Sequence, residues 1–274
     1  MTRNTKRLID IEQIIKDKNP KAAKWIPKFV VNYLKRITHQ EEINAFIAEH
    51  GEKNALDFTK AIAEVFEVKV TITGLENIPK TGGVIAVSNH PLGGLDAMAL
   101  VPQIEQIRAD VKYIVNDLLL NVEALRDIFV GINKHGSQAR ESLRQVEEVF
   151  ASEQLVMLFP SGLVSRKVAG EIIDLPWQKT FVTKARQYNH PIVPIHTSGS
   201  LSPFFYRLSK FRKWLGIKLN LEMLYLADEM FAYKGKHIRY SIGKPIDVKE
   251  FDTKMKDMEI SNFVRKELYK LANQ

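Results

Sequence analysis

Cysteine is missing altogether from the 274 residues. That absence excludes disulfide scaffolds, thiolate metal sites and cysteine nucleophiles, and leaves a reducing compartment unopposed. No apolar run approaches the roughly 18 residues a membrane-crossing helix needs. The opening MTRNTKRLIDIEQ passes directly into a charged amphipathic pattern instead of a signal peptide, so no membrane span is expected. Also lacking are a G-x-S-x-G elbow, a Walker A loop, a G-x-G-x-x-G fingerprint and an H-E-x-x-H pair. The seven histidines stand at no convincing ligand spacing, so no metal is expected. One stretch lacks acid. Between Leu175 and Leu221 there are eight basic residues and no Asp or Glu, while the remainder holds 32 residues of each sign.

The whole net charge of +8 therefore sits in that stretch, which points to an anionic partner surface. Within it, Pro203–Gly216 interleaves Phe204, Phe205, Tyr206, Phe211 and Trp214 with Arg207, Lys210, Arg212 and Lys213. Rings suit a lipid headgroup boundary and cations suit anionic headgroups. A packed helix with a solvated basic face explains the same pattern. Nucleic acid is the other anionic partner, but no recognition module accompanies the charge, and none is expected to bind. With 45% apolar and 26% charged residues, the chain is long enough for one well-cored domain plus a small appendage.

Residues 1–66 read as an N-terminal helical element. Trp25 to Ile37 places Trp25, Ile26, Phe29, Val30, Tyr33, Leu34 and Ile37 on one helical face, opposite Lys24, Lys28, Asn32 and Lys35. Such a helix packs on the body or lies in a membrane interface. Thr38 with Glu41 reads as a capping box ahead of EEINAFIAEH. From residue 67 the period changes. EVKVTITG alternates as a half-buried strand does, and VIAVSN, VKYIV, LVMLF, PIVPIH, LEMLYLA and HIRYSIG follow as short apolar runs between helical stretches. The expectation is an α/β fold over residues 67–274, with a central mixed, largely parallel sheet flanked by helices. Active groups of such sheets collect at the carboxyl ends of the strands.

Two loops stand out there. In VIAVSNHPLGGLDAMAL a buried strand ends at Asn89, His90 follows, Pro91, Gly93 and Gly94 let the chain turn, and Asp96 opens a helix. A histidine at a strand mouth, steadied by a carboxylate, is the arrangement a general base needs. The same residues also fit an Asp96 that caps its helix and a His90 bonded to a loop. In QLVMLFPSGLVSRKVAG a second strand stops at Pro160, and the loop offers Ser161, Gly162, Ser165, Arg166 and Lys167 as an anion cradle, or an ordinary turn.

Together, NHPLGGLD, FVGINK, LFPSGLVSR, PIVPIHTSG and RYSIGKPI resemble, in order and rough spacing, the blocks of the glycerolipid acyltransferases, the lysophosphatidate acyltransferase superfamily. The resemblance covers about Val68 to Val248. It implies transfer of a fatty acyl group from an acyl carrier protein or coenzyme A thioester to a lipid hydroxyl, with no metal or redox cofactor. It also implies an N-terminal element seated on the membrane, a peripheral place at its cytoplasmic face, His90 as base and Asp96 as its orienting partner.

The departures from the family's pattern carry information. Five residues separate His90 from Asp96 where the family has four, an excess that Gly93-Gly94 could absorb. Lys134 stands where the second block has Arg, and Ser161 and Val164 replace the Glu and Arg of Phe-Pro-Glu-Gly-Thr-Arg-Ser, leaving Arg166 and Lys167 as the nearest cations. Without both guanidinium forks, the acceptor need not carry a phosphate, and an N-(3-hydroxyacyl) amino-acid lipid becomes a candidate beside lysophosphatidate. Acceptor-binding roles fall to Lys134, Ser161, Gly162, Ser165, Arg166 and Lys167, with backbone N–H groups near Gly162 as oxyanion donors. Membrane-seating roles fall to Trp25, Phe29, Phe204, Phe205, Arg212, Lys213 and Trp214. A catalytically silent lipid-binding protein, a hydrolase that transfers the acyl group to water, and a nucleic-acid-binding protein are the rival readings.

Overall fold

The structure, a computed structural model, describes residues 9–116, 122–132 and 139–273. The strands, in chain order, are β1 (Lys69–Thr73), β2 (Val84–Ser88), β3 (Val111–Asn116), β4 (Phe129–Ile132), β5 (Leu155–Leu158), β6 (Arg166–Val168), β7 (Glu171–Ile173), β8 (Ile192–Thr197) and β9 (His237–Ile242). Seven of them form one sheet in the order β1-β9-β8-β2-β5-β3-β4, while β6 and β7 make a separate antiparallel hairpin. All neighbours in the large sheet are parallel except β8 and β9. This is the expected α/β fold with a mixed, largely parallel sheet.

The strand sequences explain their places. β2 is buried at every residue and lies between β8 and β5, so up to its closing Ser88 it reads as an apolar run without alternation. β1 alternates exposed and half-buried residues, as an edge strand does. Helices α6 (Gly94–Ile104), α7 (Ala139–Ala151), α8 (Thr180–Tyr188) and α11 (Asp257–Lys270) supply the flanking layers. Phe150 of α7, Phe181 and Val182 of α8, and Ile260, Val264 and Leu268 of α11 join Ile85, Val156 and Ile192 of the sheet in one apolar cluster. Each such fully buried side chain is worth about 1.5–3 kcal/mol relative to exposure. Against α6 packs α5 (Ala55–Val65), whose start is closed by Asn54 accepting the Asp57 N–H at 2.9 Å.

The chain divides into two compact units, one of residues through Glu52 with Ser202–Ala232, the other of Lys53–Leu201 with Tyr233–Gln274. The second holds the sheet. The first is helical: α1 (Ile11–Lys18), α2 (Pro20–Ala23), α3 (Lys28–Ile37), α4 (Gln40–His50), α9 (Pro203–Trp214) and α10 (Leu226–Phe231). The helical unit thus differs from residues 1–66. It stops short of α5, which packs on α6, and it takes in the later segment around α9.

Three local expectations are corrected. LEMLYLA is no strand: Leu221–Tyr225 forms a 3-10 turn leading into α10. The run contains no β-branched residue, and its Leu, Glu, Met and Ala are strong helix formers. The Thr38–Glu41 capping box is absent, because the Thr38 hydroxyl donates back to the Leu34 carbonyl at 2.8 Å and closes α3, while His39, at φ 48°, precedes α4 without a side-chain cap. The helix expected from Trp25 begins only at Lys28, since Pro27, at φ −62° and ψ 146°, is its cap and not part of its first turn.

Candidate active site

The site grows from the carboxyl end of β2. Asn89, buried one residue past that strand, exchanges two hydrogen bonds with Thr197 at the end of β8. Its amide donates to the Thr197 carbonyl at 2.8 Å, and its oxygen accepts the Thr197 N–H at 2.7 Å. The Ser88 and Thr197 hydroxyls lie 3.0 Å apart. These bonds lock the two strand ends together, so the chain leaves the sheet at a fixed point and His90 is the next residue out.

Gly93 then makes the turn that the spacing requires. Its φ of 68° and ψ of −137° are closed to residues with a Cβ, and this kink starts α6 at Gly94 with Asp96 in the first turn. The extra residue is absorbed there. His90 Nδ1 lies 2.9 Å from Asp96 Oδ2, and the Leu92 N–H reaches the same carboxylate at 3.0 and 3.2 Å. The Asp96 side chain is fully buried and that of His90 is 18% exposed. With the carboxylate accepting from Nδ1–H, the neutral ring carries its lone pair on Nε2, which has no partner among the described residues. The imidazole stacks on Phe159, ring centres 4.0 Å apart, which fixes its plane.

Burial raises the Asp96 pKa above that of a free carboxyl; the hydrogen bond and charge of His90 and the Leu92 N–H oppose it, and the nearby Asp174 charge adds to it. The negative charge of Asp96, after burial itself, keeps Tyr113, Tyr233 and Tyr240 protonated, with Tyr233 pushed up to about 12. Tyr240 donates its hydroxyl to the Asp96 carbonyl at 3.0 Å. Burial, with Arg239 adding, pushes the His196 pKa down to about 4.

A residue the sequence did not announce underlies the histidine. Asp174, just past β7 and buried, accepts the His90 N–H at 3.1 Å and the Ser165 hydroxyl at 2.6 Å on Oδ1, and Trp177 Nε1–H at 2.8 Å on Oδ2. The Ser165 N–H in turn donates to the His90 carbonyl at 2.7 Å. The only sequence signal was an isolated acid at the border of the basic stretch, and nothing about it pointed to residues so far away along the chain.

Of the residues expected to bind the acceptor, Ser165 is brought against the His90 main chain, buried and already bonded. Arg166 is also buried, and its Nη1 is directed to the Val164 and Ser165 carbonyls. For these two the surface cradle is corrected: the loop closes on itself because the buried carbonyls need donors. Ser161 donates to the Leu163 carbonyl at 2.8 Å, and Gly162, at φ 66°, gives its N–H to Phe159 O at 2.9 Å. That N–H is therefore not an idle oxyanion donor. Lys167 is exposed on β6. Lys134 lies outside the described residues.

The residues expected to seat the protein on lipid all belong to the helical unit, and they divide. Trp25 is 87% exposed and Trp214 78%, with Phe29, Phe204 and Lys213 also exposed. Phe205 and Arg212 are buried and are corrected to core roles. On α9 they share one face with Ser209, and Arg212 grips Glu222 through Nε at 2.6 Å and Nη2 at 2.8 Å. Elsewhere in the basic stretch, Lys184 pairs with Glu147 and Arg186 with Asp257. Arg207, Lys210, Lys213 and Lys218 remain exposed, with no ion pair among the described residues.

The sequence model of the acyltransferase family matches residues 13–274. The lyso-glycine lipid O-acyltransferase of Phocaeicola vulgatus is 46% identical over 272 residues, covering 99% of this chain and 98% of that protein. The enzyme of the same description from Bacteroides thetaiotaomicron is 45% identical over 272 residues, covering 99% and 100%. Among solved structures, the 1-acyl-sn-glycerophosphate acyltransferase PlsC of Thermotoga maritima superposes with a TM-score of 0.51 over 90% of each chain at 16% identity, a likeness of fold.

Proposed function

Because the chain belongs to the acyltransferase family, we propose that it esterifies the hydroxyl of a lyso-glycine lipid, a glycine carrying a hydroxyacyl chain on its nitrogen, with a fatty acyl group from an acyl carrier protein or coenzyme A thioester. The observation that carries the mechanism is the 2.9 Å pair of His90 Nδ1 and Asp96 Oδ2 at the mouth of the sheet, with Nε2 outward. Nε2 takes the proton of the acceptor hydroxyl as its oxygen attacks the thioester carbonyl. The C–S bond breaks, the ester C–O bond forms, and the imidazolium returns the proton to the leaving thiolate. Asp96 steadies that cation. General-base help of this kind is worth about 10²–10⁴-fold, and positioning of the two substrates supplies more.

Three observations favour a carboxylate headgroup over a phosphate. Two relatives named for a lyso-glycine lipid match over nearly their whole length. Val164 is fully buried, and Arg166 points a guanidinium nitrogen at its own main chain. A monoanionic headgroup needs fewer forked cations than a phosphate does. The protein meets its lipid as a peripheral one: no helix among the described residues is long and apolar enough to cross a membrane, and the exposed rings and cations of α9 offer a surface for anionic headgroups.

The test is an acyl-transfer assay read by mass spectrometry. Purified protein receives labelled acyl carrier protein or acyl-coenzyme A with lysophosphatidate, a lysophospholipid and N-(3-hydroxyacyl)glycine. Acylation of the glycine lipid, lost in His90→Ala, is expected. Equal or better acylation of lysophosphatidate overturns the acceptor, and undiminished transfer by His90→Ala overturns the base.

A further inference from the structure

We infer that Asp174 is a positioning residue for acyl transfer: it holds the main chain of His90 and thereby aims the imidazole. The inference rests on His90 being the base. A dyad such as His90–Asp96 fixes the tautomer and tilt of a ring but not the path of the backbone that carries it. That backbone lies in a loop, where the main chain is free to shift unless its polar groups are tied. Here both are tied by a closed circuit of three residues. The His90 N–H goes to Asp174 Oδ1 at 3.1 Å, the His90 carbonyl takes the Ser165 N–H at 2.7 Å, and the Ser165 hydroxyl returns to Asp174 Oδ1 at 2.6 Å.

The carboxylate is itself held from the far side. Its Oδ2 accepts Trp177 Nε1–H at 2.8 Å, its own N–H donates to the Tyr269 hydroxyl at 2.8 Å, and its carbonyl accepts Arg265 Nη2 at 2.8 Å. Asp174 is thus clamped to α8's approach and to α11. Every side-chain partner of the carboxylate is a donor, so an ionised acid suits the place and an isosteric amide does not: an amide must turn its NH2 toward one of those donors. The circuit joins the loop after β2 to the loop after β5, so a disturbance at either moves His90 Nε2 relative to the acceptor oxygen. A misplacement of about 1 Å costs about 10²-fold in turnover.

The experiment measures kcat and KM for both substrates, per folded molecule, in six variants beside the wild type, the single changes Asp174→Asn and Trp177→Phe among them. Asp174→Ala is expected to lower kcat about 10- to 100-fold with KM nearly unchanged. The double variant Asp174→Asn with Trp177→Phe removes the donor that conflicts with the amide, lets the amide oxygen serve His90 and Ser165, and is expected to recover most of the lost kcat despite its thinner core. Ser165→Ala, the mildest change, is expected to cost roughly 2- to 10-fold in kcat, the worth of one hydrogen bond. It stands in for Asp174→Ala should that variant not fold. A merely structural Asp174 would leave kcat per folded molecule untouched and make the double variant worse than either change. Normal kcat in Asp174→Ala, or in Ser165→Ala if only that folds, while His90→Ala is dead, overturns the inference alone. Activity in His90→Ala overturns the reading beneath it and the inference with it.

Discussion

Two tryptophans mark the two regions of this molecule. Trp177, in the unit that holds the sheet, is 2% exposed, donates its indole N–H to Asp174 and meets the Phe181 ring edge-on at 5.8 Å. Trp214, at the end of α9 in the helical unit, is 78% exposed, with Phe211 tilted beside it at 5.8 Å. The residue type is the same and the energetics are opposite. Trp177 stabilises the fold and keeps a polar handle satisfied, whereas the apolar surface of Trp214 remains to be covered from outside. Charge follows the same division. Asp96 and Asp174 are buried carboxylates that meet chosen donors, while Arg207, Lys210, Lys213 and Lys218 stand in solvent. The unit that holds the sheet fixes its loops with buried carboxylates, while the helical unit, beside its own buried Arg212–Glu222 pair, displays a run of cations.

The widest separation of activity from stability is expected at Asp96. In Asp96→Asn the charge that steadies the imidazolium is gone, so turnover falls about 10³-fold. Stability moves the other way. Burial holds the folded pKa of Asp96 above its unfolded value, so its contribution is full below the unfolded carboxyl pKa of about 3.9 and is lost as pH rises through the folded one. Above the folded pKa the ionised group therefore costs stability. Thermal melts of Asp96→Asn should lie at or above the wild type at pH 7, with the gap narrowing toward acid; a lower melt at pH 7 would contradict this.

Trp177→Ala should destabilise the protein by about 3–5 kcal/mol, as large-to-small core changes do, while Trp214→Ala stays within about 0.5 kcal/mol, as surface changes do. Denaturant midpoints decide between them. Equal effects would dissolve the contrast. A finer version lies within α9. Arg212→Ala takes the guanidinium away from the buried Glu222 carboxylate and should cost about 3–5 kcal/mol, whereas Lys213→Ala should leave stability alone. The smallest effect expected is that of Lys213→Ala on binding to vesicles rich in anionic phospholipid, a loss of about 1 kcal/mol, or roughly fivefold, which added salt erases. Co-sedimentation at two salt concentrations measures it.

Much of the fold was legible because the strands of the sheet centre are buried on both faces. VIAV and LVML are apolar at every position for that reason, and the helices between them keep their period. LEMLYLA failed because an apolar run of that length fits strand and helix alike, and the buried Arg212–Glu222 pair that settles it joins residues on two different elements. The same pair defeated the surface reading of Arg212. A basic side chain beside aromatic ones looks exposed until its partner acid is known. Phe205, Ser209 and Arg212 do fall at helical spacing, so the buried face of α9 was visible in outline. His90 and Asp96 could be paired from sequence because only six positions and two glycines separate them. Asp174 could not, since its bond to the His90 amide spans 84 positions.

That last distance bears on how the protein is born. A chain is made from its amino end at about 5–20 residues per second, so β2 and His90 exist well before Arg265 and Tyr269, whose bonds hold the main chain of Asp174. The histidine is made before its final brace. A nascent or truncated chain lacking α11 carries the reactive ring without the clamp that aims it. The bonds that hold the main chain of Asp174 are therefore complete only once α11 has been made.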